Sequence, residues 1–312
     1  MVYCVGLRNF MHGAAVNLRL SIARLLFRRL NKKECMCNMN KLTSLFLVVI
    51  SSFAMLVISS NVSAAKIEFW DARDEQSTQQ VDHSKWQEIL DIYLNDEHES
   101  GINRFDYASV SSDDSAKLDD YLDYLQSLSP RQLNAKEQFA YWVNLYNAKT
   151  VDYIIDGVQD DDIESIKEIR SNFVIPGPWK RKDLKVEGKK LSLDNVEHGI
   201  LRPIWNDRRI HYAVNCASIG CPNLSKTAFT SDNTEEQLEV AEEQFLSHSR
   251  AVQIVDGKLQ LSSLFDWYGA DFASNQSEFF DYIIDFVSLE VEEFIESDPK
   301  VSYYYDWNLN AE

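Results

Sequence analysis

The sequence predicts an α+β fold: a single domain with N-terminal helices and a buried central helix packed on a small, mostly antiparallel sheet. Three observations predict it. Residues 135–156 are apolar on most faces, which is typical of a helix that is buried all round. The stretches LKVEGKKLSL and VQIVDGKLQL each place a Gly-containing turn between short strand-like runs, as hairpins do. These strand pairs mix with helices in no regular βαβ order, which favours α+β over a parallel sheet.

Helices are predicted on both sides of the central one. Before it, residues 84–95 and 115–128 place apolar side chains at helical spacing. After it, a serine at the start of residues 192–201 is a candidate N-cap for a further helix. A Thr-Glu-Glu-Gln capping box opens a helix over residues 234–247. Helical patterns also fill much of residues 265–297.

The sequence RIHYAVNCA, residues 209–217, is rich in apolar residues and predicts a central strand. In a strand, His211 and Asn215 would point to one face and Cys216 to the other. The strand would end in a loop of small residues that leads to Cys221. A loop that follows a strand and carries a thiol is a favourable place for a functional site.

The N-terminal region predicts export. Residues 43–60 form an uncharged apolar run that follows Lys41 and precedes small residues up to Ala65, which is the pattern of a cleaved signal peptide. The alternative is an uncleaved membrane anchor, because the run is just long enough for a short span. The predicted organisation is an upstream extension (1–38), a signal peptide (39–65), a polar lead-in (66–83) and a single globular domain (84–312). We expect a periplasmic or secreted protein without membrane insertion after cleavage.

Charge and cysteine content narrow the function further. The chain carries a net charge of −18, and the first 65 residues hold eight of its basic residues but one acidic residue, so the remainder is more acidic still. Such a surface repels nucleic acid, and we expect no nucleic-acid partner. Of five cysteines, Cys216 and Cys221 remain after cleavage, and in an exported protein two close thiols favour a disulfide.

No metal and no cofactor are predicted. Two cysteines and one histidine at these spacings lack a fourth zinc ligand. The sequence contains no GxSxG, GxxxxGK[ST], GxGxxG or HExxH motif. The expected partner is a small-molecule or peptide ligand.

Polar residues inside apolar segments mark the candidate site. Glu137, Asn144 and Asn147 lie in the central helix, where an unpaired polar group is costly. They either tie the helix to neighbouring backbone or serve a site. Glu197 and His198 lie on the next predicted helix, where the alternatives are a buried salt bridge for the first and an ordinary surface pair for the second.

The simplest way to satisfy these polar groups is to let them meet in one cleft. The residues expected to converge there are Glu137, Asn144, Asn147, Glu197, His198, His211 and Cys216. Ser218 and Cys221 are expected to contact a ligand beside them, together with Glu137 and Asn144.

Five segments carry a resemblance to a known family. In chain order they are QFAYWVNLYNAKTV, SIKEI, LSLDNVEHGILRP, RIHYAVNCASIGCPNL and LSSLFDWYGADF. Their order and spacing over residues 84–285 resemble the domain-of-unknown-function family 547. The resemblance implies a distant relationship to papain-like or transglutaminase-like thiol hydrolases, in which a cysteine begins the central helix. Here the central helix has no cysteine, so the resemblance implies either a rearranged site that uses Cys216 or Cys221, or no thiol chemistry.

Two functions from different classes follow. In the first, the domain is a thiol-type hydrolase or amide transferase in which Cys216 or Cys221 attacks an amide or ester. His211 or His198 would be the general base, and Glu197, Asn144 or Asn147 would orient the base or stabilise an oxyanion. In the second, the domain is a non-enzymatic periplasmic binding or structural domain with a Cys216–Cys221 disulfide.

Overall fold

The computed structural model describes residues 65–172 and 174–312, and all but the last residue of the predicted extension and signal peptide lies outside the described residues. Two amphipathic helices precede the central one, close to where the sequence predicts them. Serine and asparagine side chains cap the second helix and the central helix by accepting hydrogen bonds from backbone N–H groups. The elements of this half are α1 (Ser84–Tyr93), β1 (Leu94–Asn95), β2 (Arg104–Phe105), α2 (Ser112–Ser127) and α3 (Ala135–Asp161).

The remaining elements are short apart from one helix, α7. The predicted hairpin turns at Glu187-Gly188 and Asp256-Gly257 are both confirmed. The elements are β3 (Leu184–Val186), β4 (Lys189–Leu191), α4 (Leu193–Val196), a π-helical turn (Glu197–Leu201), α5 (Arg202–Trp205), α6 (Ile210–Ala213), α7 (Thr234–Leu246), β5 (Val252–Val255), β6 (Lys258–Ser262), α8 (Leu264–Trp267), α9 (Gly269–Phe272), α10 (Gln276–Ile283), α11 (Leu289–Glu296) and β7 (Val301–Tyr304).

The structure is a mixed α+β fold, about half helical, with small sheets. The central helix α3 is buried as predicted, since Trp142 is 0 % and Tyr146 2 % exposed. Its main neighbours are the helices α2 and α4, so the expectation that it packs on a sheet is wrong. The strands form separate sheets of two, two and three strands, and in the last of these β7 runs parallel to β6. Sheets this small cannot cover a helix of 27 residues, and other helices cover it instead.

Residues 66–83, expected as a polar lead-in, contribute to the core around α3. Trp70 is fully buried, and its ring meets that of Trp142 edge-on with centroids 5.1 Å apart. The backbone N–H of Val81 donates to Glu137 Oε1 over 2.7 Å. One residue that the sequence marked as a site candidate therefore fixes this segment to the central helix.

The predicted strand over residues 209–217 is wrong, because its first half is the helical turn α6. The Asp207 side chain accepts a hydrogen bond from the N–H of Arg209 and starts the turn. The chain becomes extended only at Val214. Periodicity cannot separate a strand from a helical turn in so short an apolar run.

The two predicted helix caps have different outcomes. Ser192 caps α4 in a capping box with Asn195, as predicted for the serine. Helix α7 is present, but the capping box predicted at its start is wrong. Its N-cap is Asn233, and no side chain there makes a capping hydrogen bond. Among residues 65–172 and 174–312, no helix is both long enough and apolar enough to cross a membrane.

Two asparagines of α3 hold neighbouring backbone. Asn144 donates to the carbonyl of Phe229 over 2.7 Å and accepts from the N–H of the same residue over 3.0 Å. Asn147 donates to the carbonyl of Ala213 and accepts from the N–H of Asn215, both over 2.9 Å. Each amide thus satisfies two buried backbone groups, and Asn147 fixes the end of α6 against the central helix.

We expect Asn147→Ala to lower the free energy of unfolding by about 2–4 kcal/mol, because it leaves two buried backbone groups without partners at roughly 1–3 kcal/mol each. The measurement is urea unfolding followed by circular dichroism. Lys136→Ala, at an exposed position of the same helix, is the control and should change the value by no more than about 0.5 kcal/mol. Equal effects of the two substitutions would contradict the role given to Asn147.

Candidate functional site

A cavity of about 350 Å³ is lined by residues from α3, α4, the π-helical turn, α6 and α8. The segments that contain Trp179, the two cysteines and Tyr305 complete its lining. Its ionisable lining residues are Asp194, Glu197, His198, His211, Cys216 and Cys221. Its aromatic lining residues are Tyr146, Trp179, Trp267, Tyr268, Tyr305 and Trp307. Titratable groups gathered in an apolar cavity are a common mark of a functional site.

A buried histidine and a carboxylate form the first pair of the site. His211 Nε2 lies 2.7 Å from Asp271 Oδ2, and its ring stacks on that of Tyr268 at 4.5 Å. Burial lowers the pKa of His211, although the hydrogen bond to Asp271 acts in the opposite direction. His211 is therefore neutral near pH 7, with the Nε2 proton directed at Asp271.

Asp271 stays ionised at the edge of the cavity. Burial alone would raise the pKa of this carboxyl, but hydrogen bonds from His211 and Arg202 outweigh it and hold the pKa well below its usual range. The Arg202 Nε atom donates to Asp271 Oδ2 over 2.6 Å. Asp271 orients the imidazole of His211, because its carboxylate accepts a hydrogen bond from Nε2–H and Nδ1 is then the nitrogen without a proton.

The second carboxylate, Glu197, lies between the two histidines. Glu197 Oε1 is 3.5 Å from His198 Nδ1 and 3.9 Å from His211 Nδ1. Its other oxygen accepts a hydrogen bond from the Tyr146 hydroxyl over 3.0 Å. Arg202 Nη1 lies 3.0 Å from His198 Nδ1, and because a guanidinium can only donate, that nitrogen accepts. Glu197 is thus the carboxylate that faces the free nitrogen of His211.

Three side chains are hydrogen-bonded to the sulfur of Cys216, and the Ser218 hydroxyl also donates to Tyr305 Oη over 3.2 Å. Cys221 Sγ lies 2.9 Å from it, and Ser218 Oγ and Tyr305 Oη each lie 3.1 Å from it. The hydrogen bond from Cys221 contributes most to lowering the pKa of Cys216, and those from Ser218 and Tyr305 add to it against the opposing effect of burial. Burial raises the pKa of Cys221 well above its usual value. Cys216 is therefore the more acidic of the two thiols, and Cys221 keeps its proton.

The predicted Cys216–Cys221 disulfide is not present among the described residues, where both cysteines are free. Their sulfurs lie 2.9 Å apart, whereas a disulfide bond is about 2.05 Å long. The N–H of Cys216 donates to Cys221 Sγ over 2.9 Å, so the buried sulfur accepts one hydrogen bond and donates another. The pair is two free cysteines whose sulfurs are in hydrogen-bond contact.

The C-terminal segment holds the loop between the two cysteines. The N–H of Ile219 donates to the carbonyl of Asn308, and that of Gly220 donates to the carbonyl of Asp306. A Cβ atom at Gly220 would lie 2.9 Å from the backbone of Asp306, so only glycine permits this approach. The same segment supplies Tyr305, and burial raises the pKa of its hydroxyl so that it keeps its proton.

The structure brings some of the predicted site residues together and places others elsewhere. Glu197, His198, His211, Cys216 and Cys221 line the cavity, and Ser218 is hydrogen-bonded to Cys216. Glu137, Asn144 and Asn147 do not line it, and their side chains bond to backbone in the contacts described above.

Three residues that complete the site were not predicted. Asp271 lies in the segment LSSLFDWYGADF, whose place in the family pattern was a usable signal. Arg202 lies in the segment LSLDNVEHGILRP, four residues after His198, and its place in the family pattern was a signal of the same kind. Tyr305 lies in a tail without a recognisable motif, and only the fold brings it to Cys216. Over residues 65–172 and 174–312, no group of three or more His, Cys, Asp or Glu side chains is arranged to hold a metal ion.

We expect iodoacetamide to alkylate Cys216 with a pH midpoint below the 9.0 of an ordinary thiol, because the lowered pKa keeps the thiolate present at lower pH. Peptide mapping by mass spectrometry follows both cysteines separately. Tyr305→Phe and Ser218→Ala each remove a donor and should move the midpoint upward. Equal rates and equal midpoints for Cys216 and Cys221 would contradict the assignment of Cys216 as the more acidic thiol.

A comparison with family models matches residues 130–246 to the family described as "Protein of unknown function, DUF547". The matched span includes Glu197, His211 and Cys216, whereas Asp271 and Tyr305 lie beyond it. No curated protein and no solved structure matches the chain. The resemblance drawn from the sequence motifs is thereby confirmed, and the chain carries a DUF547 domain at residues 130–246.

Proposed function

We propose that this domain is a thiol-dependent hydrolase or amide transferase in which Cys216 is the nucleophile. One observation carries the proposal. A partly exposed thiol of lowered pKa, with three side chains hydrogen-bonded to its sulfur, lines the same cavity as a neutral histidine that is oriented by an ionised carboxylate. A nucleophile, a base and a group that orients the base are the parts that covalent acyl transfer requires.

In the first half-reaction, the Cys216 sulfur attacks the carbonyl carbon of an amide or ester. His211 Nδ1 accepts the proton of the Cys216 thiol as the sulfur attacks, a carbon–sulfur bond forms and the carbonyl electrons move to the oxygen. Collapse then expels the amine or alcohol with the proton from His211, and a thioester remains. The Tyr305 hydroxyl, 3.1 Å from the sulfur, is freed from it during the attack and can donate to the oxyanion. Asn144 and Asn147 have no such role in the proposal, because their amides already bond to backbone.

In the second half-reaction, His211 accepts a proton through Nδ1 from the water or amine that attacks the thioester. Asp271 stabilises the imidazolium through its hydrogen bond with Nε2, and Glu197 stabilises it from the side of Nδ1. Collapse of the intermediate releases the product and the Cys216 sulfur, which takes the proton back from the imidazolium. Both groups thereby return to their starting state, and the cycle balances.

The proposal includes a distant relationship to papain-like and transglutaminase-like thiol hydrolases. A thiol, an imidazole and a carboxylate support it. The position of the thiol differs, because α3 has no cysteine and Cys216 follows the one-turn helix α6 instead. It also includes an exported location and a peptide or small amide as substrate, supported by the apolar run of residues 43–60 and by the size of the cavity.

A non-enzymatic binding domain is the second candidate. The observation in its favour is the aromatic wall of the cavity, in which Trp267 is 39 % exposed and lies 4.9 Å from the ring of Tyr305. An exposed tryptophan at a cavity is typical of ligand contact and needs no nucleophile. The two candidates differ in whether a covalent intermediate forms on Cys216.

The test is hydrolysis of a p-nitrophenyl ester series, with acid quenching and mass spectrometry of the Cys216 peptide. We expect a burst of nitrophenolate and an acyl group on Cys216. His211→Gln should slow turnover by about 10²–10⁴-fold, the usual contribution of a general base. Asp271→Asn should also slow it and should shift the pH profile, because the imidazole loses the partner that orients it.

His98→Gln is the matched control, since this histidine does not line the cavity, and its turnover should equal that of the unmodified protein. Circular dichroism verifies that each variant is folded. Two results would reject the hydrolase and favour the binding domain. One is turnover that survives Cys216→Ser, and the other is binding of the ester without an acyl group on Cys216.

A further inference from the structure

The two thiols of the site differ in exposure and in acidity. Cys216 is partly exposed and lines the cavity, whereas Cys221 is 4 % exposed. Acyl transfer uses the first sulfur as nucleophile and the second only as a hydrogen-bond donor. Their contact distance of 2.9 Å is much shorter than that donation needs, and it places the second sulfur where it can form a bond with the first.

We propose that Cys216 and Cys221 form a dithiol–disulfide exchange pair, in which Cys216 attacks a small disulfide and Cys221 resolves the mixed disulfide. This is a second activity of the cavity. It rests on the nucleophile of the proposed function, but it does not need the His211–Asp271 pair. It also differs from a permanent structural disulfide, because the pair alternates between two states.

The chemistry balances over two displacements. The Cys216 thiolate attacks one sulfur of R–S–S–R′, a Cys216–S–S–R bond forms, and R′–S⁻ leaves and takes a proton from solvent. Cys221 then loses its proton and attacks Cys216 Sγ, so that the Cys216–Cys221 bond forms and R–S⁻ leaves with that proton. The protein dithiol is oxidised by two electrons, and one disulfide is reduced to two thiols. A dithiol reductant reverses the change in the protein.

The surroundings of the pair suit these two steps. Both cysteines line the cavity, but Cys221 is only 4 % exposed and is the less acidic of the two thiols, so Cys216 attacks first. Arg250 donates to the carbonyl of Ile219 in the loop between the cysteines, and it has no carboxylate within salt-bridge distance among the described residues. Its positive charge next to the loop favours the Cys221 thiolate that the second step requires.

The cavity fits a small disulfide. Its volume of about 350 Å³ admits a low-molecular-weight compound. Tyr305 lies beside the Cys216 sulfur, and Trp267 lies beside Tyr305 in the cavity lining. Divalent sulfur packs favourably on aromatic rings. The motion required is short, since the two sulfurs must approach from 2.9 Å to about 2.05 Å within a loop that the C-terminal segment already holds.

The experiment uses the full chain with Cys4, Cys35 and Cys37 replaced by serine, so that Cys216 and Cys221 are the only sulfhydryl groups. The probe is bis(2-hydroxyethyl) disulfide, with dithiothreitol as reductant, and the rate is compared with that of dithiothreitol alone. Samples are quenched in acid for intact-mass measurement. Acylation of Cys216 by a p-nitrophenyl ester is measured on the same preparations.

We expect the protein with these three serine substitutions, the background protein, to catalyse reduction of the probe. When the reductant is omitted, its mass should fall by two hydrogens because a disulfide forms. Cys221→Ser should lose the catalysed rate and accumulate a mixed disulfide on Cys216. Cys216→Ser should lose the rate without forming any adduct.

Two results would overturn the inference. A background protein that keeps a stable mixed disulfide, while the ester still acylates Cys216, shows that Cys221 does not resolve and leaves the acyl-transfer proposal intact. Failure of both the disulfide and the ester to react at Cys216 would instead reject the nucleophile itself, and with it both proposals.

Discussion

The site depends on the requirement that a buried helix must pair every polar group it carries. Helix α3 is covered on nearly all sides, and its Asn147 finds partners in the backbone of Ala213 and Asn215. Those two groups stand between His211, in α6, and Cys216, in the extended chain that follows. One amide therefore fixes the junction from which the base and the nucleophile diverge into a single cavity, although it contacts neither of them.

The groups around the Cys216 sulfur differ from the acidic composition of the domain as a whole. A strongly acidic chain would disfavour a thiolate, yet the sulfur of Cys216 is surrounded by neutral side chains, and none of its hydrogen-bond partners is a carboxylate. The carboxylates of the site are instead placed around His211, where Arg202 offsets the charge of Asp271. Separating the two environments lets a thiol of lowered pKa and a neutral imidazole exist in one cavity.

Patterns that repeat along the chain were predictable, and contacts made by distant segments were not. The apolar faces of α3 and the glycine turns of the hairpins are local properties, so the α+β class and the buried helix follow from the sequence. Residues 209–217 form a helical turn because of the Asp207 side chain, which apolar spacing does not reveal. The exposure of Cys216, the burial of Cys221 and the approach of Tyr305 depend on tertiary packing and have no signature in the sequence.

Because Tyr305 lies late in the chain, the pKa of the Cys216 thiol changes during biosynthesis. Cys216 precedes that hydroxyl by 89 positions, so a growing polypeptide exposes the cysteine long before the donor exists. Until the later segment has been made and has docked against Ile219 and Gly220, the sulfur lacks one of the hydrogen bonds that lower its pKa. A nascent chain thus presents a less acidic thiol than the folded domain, and this thiol is less prone to accidental alkylation or cross-linking.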